Sequence, residues 1–196
     1  MNGAVAGPDG RLRCPWALSA PEFAAYHDDE WGRPIRSRGV AADRKMFERL
    51  TLEAFQSGLS WLIILRKRPA FRAAFADFDL PTVAGYGEKD VTRLLADAGI
   101  VRNRAKIEAA IANARAALEL PGGLASHIKQ FTPEPVPAPK KFGEIRSTAP
   151  ESIALAKDLR KRGFTFVGPT TLYALMQATG MVNDHVAGCW ARDAAN

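Results

Sequence analysis

Cysteine and histidine are scarce in this chain: two and three respectively in 196 residues. Two thiols cannot build the disulfide framework that staples small secreted domains. The fold must then rest on an apolar core, and a hydrophobic fraction of 47% supplies one and excludes general disorder. Also missing are a charged start followed by an apolar run and a cleavage site, and any apolar stretch of bilayer length. These absences predict a cytoplasmic protein with no membrane partner, its cysteines reduced or metal-bound. Charge is unbalanced at +6, with a pI near 9.6. Such a surplus suits a polyanionic partner, although a merely soluble basic surface shows it too.

The scarce residues fall at the two ends. Cys14 and His27 lie near the start, and His185 and Cys189 form a His-x3-Cys pair near the finish. Two thiolates and two imidazoles with no carboxylate among them suit a closed, structural, tetrahedral Zn2+ site that clasps the termini. The alternative is two small buried cysteines beside hydrogen-bonded histidines.

Between the ends the pattern is helical. Residues 1–10, with three glycines and a proline, read as a disordered tail. Trp16, Phe23, Tyr26 and Trp31 crowd a short polar segment, as core or as a pocket wall. Residues 33–42 read as a loop. Asp43 is the expected N-cap of a helix over 44–57, whose apolar arc is Met46, Phe47, Leu50 and Ala54. Glu53 falls within or at the edge of that arc, as an inward carboxylate or a rim ion pair. Gly58 breaks the helix, and another starts at Leu59-Ser60-Trp61 and ends at Arg66-Lys67-Arg68, before Pro69. Short helices are expected over 70–78 and 88–98, and a longer one opens at Asn103. The four prolines of 132–141 predict an extended connection. A helix over 150–162, with Ile153, Ala156 and Leu159 inward, leads through Gly163-Phe164-Thr165-Phe166-Val167-Gly168 into a helix over 169–179 that Pro169 can open. Free N–H groups in such a hairpin can hold a phosphate, and the same residues serve equally as a plain connection.

Phe164 to Thr170 resembles the helix-hairpin-helix motif of base-excision DNA glycosylases. Val182-Asn183-Asp184-His185 resembles the segment where many of them carry Val-Asp-x-His. Asn183 stands at the catalytic aspartate's position, so the usual aspartate mechanism is not carried over. Cys14-Pro15-Trp16, Tyr26 to Gly32, Leu52 to Trp61, Asp97 to Ile107, Gly163 to Thr171 and Val182 to Cys189 together resemble the DNA-3-methyladenine glycosylase I family, in order, from about residue 12 to 190.

That resemblance implies an all-α, two-lobed bundle with one glycosylase domain over 11–192 and the helix-hairpin-helix at about 150–179. It implies one structural zinc on Cys14, His27, His185 and Cys189. Glu53 takes the role of base-binding and catalytic glutamate, with Tyr26, Trp31, Trp61 and Trp16 around the base. Gly58 and Leu59 fill the gap in the duplex, and Gly163, Phe166, Gly168 and Thr170 meet the DNA backbone. Phe55 stands where members often carry a small or amide residue, which bears on the pocket wall or the DNA-facing turn. The implied activity is monofunctional hydrolysis of the N-glycosidic bond of 3-methyladenine in double-stranded alkylated DNA by a monomer, with free base as product. Two rivals share parts of this pattern: a non-catalytic DNA-binding module held by zinc, and a zinc hydrolase using His185 and Asp184 beside an open metal.

Overall fold

The computed structural model describes residues 3–194, in which ten α-helices and one two-stranded hairpin follow one another. The hairpin pairs β1 (Val5–Ala6) with β2 (Leu12–Arg13), antiparallel, Val5 opposite Arg13. The disordered tail expected over 1–10 is thereby corrected for its described part; Met1 and Asn2 lie outside the described residues. Pro8-Asp9-Gly10 is a turn sequence, and Arg13 locks it down. The Arg13 guanidinium donates to Asp9 at 2.6 and 2.8 Å and to Asp28 at 2.7 Å.

Asp28 belongs to α1 (Pro21–Asp29), a helix that the irregular sequence between Cys14 and His27 did not announce. Pro21 opens it, the position where a missing N–H costs nothing. The helix α2 (Val40–Gln56) starts four residues before the predicted 44, and its N-cap is Gly39, not Asp43. Asp43 caps another helix instead. Gly123 precedes α7 (Leu124–Lys129) and has no side chain to offer, and Asp43 accepts from Ala125 N at 2.8 Å in its place.

The helix α3 (Trp61–Ala74) runs through Pro69, where a stop was expected. Ile64 on one side of the proline and Phe71 and Ala74 on the other are buried in the core. Their packing outweighs the lost backbone bond, which costs about 3 kcal/mol. The triplet 66–68 is therefore mid-helix. Arg66 donates to Glu22 at 2.7 Å, Lys67 to Ala98 O at 2.7 Å and Arg68 to Glu48 and Glu30 at 2.8 and 2.7 Å.

Short helices α4 (Leu80–Ala84) and α5 (Glu88–Ala96) lead to α6 (Arg104–Leu118), capped by Asn103 as predicted, its side chain accepting from Lys106 N at 3.1 Å. The proline-rich connection is extended and is pinned where Ala187 N donates to Pro139 O at 2.9 Å. It leads to α8 (Pro150–Lys161) and α9 (Pro169–Ala178), joined by residues 162–168; α10 (Trp190–Ala194) follows. On α8 the inward set is Leu155, Ala156 and Leu159, whereas Ile153, expected inward, is 53% exposed. Leu155 precedes Leu159 by one turn and takes that face.

The apolar interior falls into two clusters. The larger unites α2 to α9. The smaller holds Cys14, Tyr26, Trp31, Val186 and Cys189. Phe55 lies in the larger, edge-on to Phe71 at 4.8 Å, so of the two places its resemblance allowed, the pocket wall and the DNA-facing turn, it does not occupy the first. Replacing Asp43 with Ala strips the cap from α7 and is expected to lower stability by about 1 kcal/mol. A urea titration by circular dichroism reads this as a lower midpoint, and an unchanged midpoint removes the cap from the account.

Candidate active site and metal centre

The smaller cluster closes on four side chains from opposite ends of the chain. The ligand atoms of Cys14, His27, His185 and Cys189 all lie within 4.8 Å of one another, and all four residues are buried. Cys14 Sγ and Cys189 Sγ are each 3.6 Å from His185 Nδ1, and Cys189 Sγ is 3.3 Å from His27 Nε2. Such a group can hold a metal ion.

The outer ring nitrogens fix which inner nitrogens are bare. A carboxylate and a backbone carbonyl only accept, so His27 Nδ1 donates to Asp28 at 2.8 Å and His185 Nε2 to Trp31 O at 3.3 Å. His27 Nε2 and His185 Nδ1 are left with lone pairs directed at the thiols. Hydrogen bonding from Cys14 holds the Cys189 thiol far below its ordinary value, so thiolate is favoured there. Gly32 makes the packing possible. At its φ of +76° a Cβ would meet His185 Nε2 at 2.7 Å.

Aromatic rings carry this cluster to a cavity of about 450 Å3. Trp31 stands edge-on to His185 at 4.6 Å, and Trp16 stands edge-on to Trp31 at 5.1 Å and to His27 at 5.3 Å. Tyr26, the neighbour of His27 on α1, tilts against Trp61 at 5.5 Å. All four rings line the cavity, and so does Glu53. The five residues singled out around a base are thus brought together.

Glu53 is 6% exposed, on the buried side of α2. Burial pushes its carboxyl up to about 8, against the pull of Arg49 one turn earlier, and no hydrogen bond from the described residues eases it. Arg49 is occupied elsewhere, donating to Ala178 O and pairing with Glu30 at 3.2 Å. Burial first, then Glu53 and Glu30, raises Tyr26 well above its ordinary value, so its hydroxyl stays protonated. Trp61 Nε1 is enclosed and has no acceptor among the described residues.

The remaining candidates lie on turns. Gly58 and Leu59 form the turn between α2 and α3, close in sequence to both Glu53 and Trp61 but outside the cavity lining. In the connection between α8 and α9, Gly163 and Phe166 are exposed, Phe166 at a φ of 55°, and Gly168 leads into α9. Thr170, in the first turn of α9, reaches the cavity.

Several lining residues escaped the sequence reading. Tyr173 and Gln177 stand one turn apart on α9, a spacing that put them on one face, and both donate to the buried Asp184, at 2.8 and 2.9 Å. Asp184 is thereby occupied away from the histidines. Phe142 and Ile145, from the segment after the prolines, also line the cavity. No local pattern could have placed them. Asn183 is tied to the backbone, its Nδ2 donating to Arg192 O at 3.0 Å.

Known proteins resemble this chain over most of its length. The methyladenine glycosylase family model matches residues 16–192. DNA-3-methyladenine glycosylase 1 of Escherichia coli (strain K12) is 44% identical over 187 residues, covering 90% of this chain and 95% of that protein. A crystal structure of 3-methyladenine DNA glycosylase I superposes with a TM-score of 0.85 at 44% identity, covering 91% of this chain and 98% of the other. The Staphylococcus aureus enzyme, solved to show how it recognises 3-methyladenine, superposes at 0.84 with 29% identity over 92% of this chain and 96% of its own.

Because Glu53 is raised from 4.5 to about 8, the folded state keeps a proton that the unfolded state releases. Its contribution is complete below pH 4.5 and is lost as pH climbs through 8, amounting to at most about 5 kcal/mol over that window. Differential scanning calorimetry is expected to show Tm falling across this range less steeply in Glu53→Gln than in wild type. Identical slopes would place the carboxyl in water.

Proposed function

The chain belongs to the methyladenine glycosylase family, and from that premise we propose that it hydrolyses the N-glycosidic bond of 3-methyladenine in alkylated double-stranded DNA, releasing the free base. One observation carries the reading: a buried carboxyl without a hydrogen bond among the described residues faces a cavity walled by Tyr26, Trp31, Trp61 and Trp16. Such a site disfavours a neutral guest less than it favours a cation that ionises the acid.

Methylation at N3 gives adenine that charge and makes it a good leaving group. The nucleotide is flipped from the duplex at a cost of a few kcal/mol, less for a weakly stacked base. Tyr26 and Trp61 offer ring faces, over which a cation gains about 0.5–2 kcal/mol. Glu53 then loses its proton to solvent water as the cationic base enters, accepts from the exocyclic amine and stabilises the cationic base, while the carbonyl of a guanine at that edge would meet it as a second acceptor. Glu53 is the base-binding and catalytic residue of this reading, and Trp31 and Trp16 close the wall behind the ring. As the bond from the base to C1′ breaks, its electron pair leaves with the base, which departs as neutral 3-methyladenine, and water attacks C1′ and releases its proton to solvent.

No lysine lines the cavity among the described residues. This supports a monofunctional enzyme that forms no Schiff base and leaves the strand uncut. Gly58 and Leu59 enter the gap left by the flipped nucleotide. The α8–α9 pair acts as the helix-hairpin-helix, with Gly163, Phe166, Gly168 and Thr170 at the phosphate backbone. The premise also implies a single domain over 11–192 and a cytoplasmic monomer.

The metal of this reading is one structural zinc. Bond lengths of about 2.3 Å to sulfur and 2.05 Å to nitrogen put tetrahedral S···N edges near ~3.6 Å. The S···N separations of 3.3–3.6 Å fit. Four protein donors leave no open position for water, which separates this centre from that of a zinc hydrolase. Zinc supplies a staple here, and the residues of the cavity supply the chemistry.

Two results are expected. Glu53→Gln lowers single-turnover release of 3-methyladenine from alkylated duplex at least about a hundredfold, as loss of one electrostatic stabiliser does elsewhere, with the fold intact; excision at the wild-type rate refutes the role. Elemental analysis finds one zinc per chain, and Cys14→Ser loses it together with thermal stability. A metal-free protein of full stability would leave the cluster an ordinary core.

A further inference from the structure

The helix α6 carries two buried polar side chains that the base cavity does not use. Lys106 and Asn113 are seven residues apart, two helical turns, and so share one face at an axial separation of about 10 Å. Lys106 is 8% exposed. Its Nζ donates to Phe55 O at 2.9 Å and Ser57 O at 2.6 Å, and among the described residues no carboxylate pairs with the ammonium. Burial lowers its pKa. Asn113 is 1% exposed and clamps one residue from both sides: its Nδ2 donates to Thr165 O at 3.0 Å and its Oδ1 accepts from Thr165 N at 2.8 Å.

The two anchored segments are the two exposed turns. Ser57 precedes Gly58, where a Cβ would meet nothing within 4 Å, so this turn faces open space. Gln56 tightens it from within, its Nε2 donating to Leu59 O at 3.0 Å while its own carbonyl accepts from Leu59 N at 2.7 Å. Thr165 lies in the α8–α9 connection, directly before Phe166 and its positive φ. A buried ammonium and a buried amide are poor ways to fill a core when leucine would pack there without desolvation cost. What they add is direction: each fixes backbone carbonyls or amides at a set distance from the helix axis.

We propose that this face of α6 is a spacer that holds the turn at 57–59 and the turn at 162–168 at the separation one DNA duplex requires, with Lys106 and Asn113 as its positioning residues. The proposal rests on the reading of the chain as a glycosylase acting on duplex DNA. Neither residue lines the base cavity, so the spacer acts on the duplex and leaves the base alone.

The test measures two affinities in wild type, Lys106→Met, Asn113→Leu and the double variant. One is for a duplex holding a tetrahydrofuran abasic analogue, by fluorescence anisotropy. The other is for free 3-methyladenine, by tryptophan quenching. Each single change is expected to weaken duplex binding about tenfold, with base binding held within about twofold. The double variant is expected to lose less than the product of the two, because one slack end already releases the spacing. If Lys106→Met does not fold, Lys106→Arg, a buried donor of different reach, takes its place with the same expectation. The spacer is overturned if both affinities fall together, if duplex binding is unmoved, or if the two losses multiply. A wild-type protein that binds neither probe overturns the glycosylase reading and the spacer with it, whereas a wild type that binds both with variants off pattern overturns the spacer alone.

Discussion

Everything in the site turns on a carboxyl that has been taken out of water and given no partner. A buried acid without hydrogen bonds costs the fold stability unless it keeps its proton, and the raised value of Glu53 expresses that cost. The nearby cation could have relieved it. Instead Arg49 is committed to Glu30 and Ala178 O, which leaves the acid in a poor environment for its charge. The same poverty makes the cavity selective, because a guest that brings positive charge supplies what the protein withholds.

Holding an acid in that state requires rigid walls, and the buried Cys/His cluster provides one of them. His27 and Tyr26 are adjacent on α1, so fixing the imidazole in the Cys/His cluster fixes the phenol at the cavity. Trp31 is held from two directions, its carbonyl by His185 and its ring by Trp16. The clasp between the two ends of the chain is therefore also the back of the pocket. An ion held by these four side chains would brace the aromatic wall directly, while the larger core around α2 meets that wall at Trp61, which packs against both clusters.

The sequence made this site legible where the residue types were rare or out of place. Four scarce donors at two ends pointed to one ion, and their side chains do meet. Glu53 stood out as a carboxylate on an apolar arc, and it is buried. Local rules failed where a distant partner decided the outcome. Asp43 looked like the cap of its own helix and instead caps α7, since Gly123 needs an acceptor that only another helix can bring. Pro69 looked like a stop, and core packing on both sides carried α3 through it. The hairpin at residues 5–13 was invisible because Arg13, its lock, draws on Asp28 fifteen residues ahead. Phe142 and Ile145 reach the cavity from a segment whose composition announced only an extended path.

The most direct measurement is a carbon-13 NMR titration of the Glu53 side-chain carboxyl, assigned by comparison with Glu53→Gln, in the empty protein and in its complex with 3-methyladenine. The account predicts a midpoint near 8 in the empty protein, and a lower one once the base lies against the acid. A midpoint near 4.5 in the empty protein, the ordinary value for a glutamate, or one that the base leaves unmoved, would contradict it.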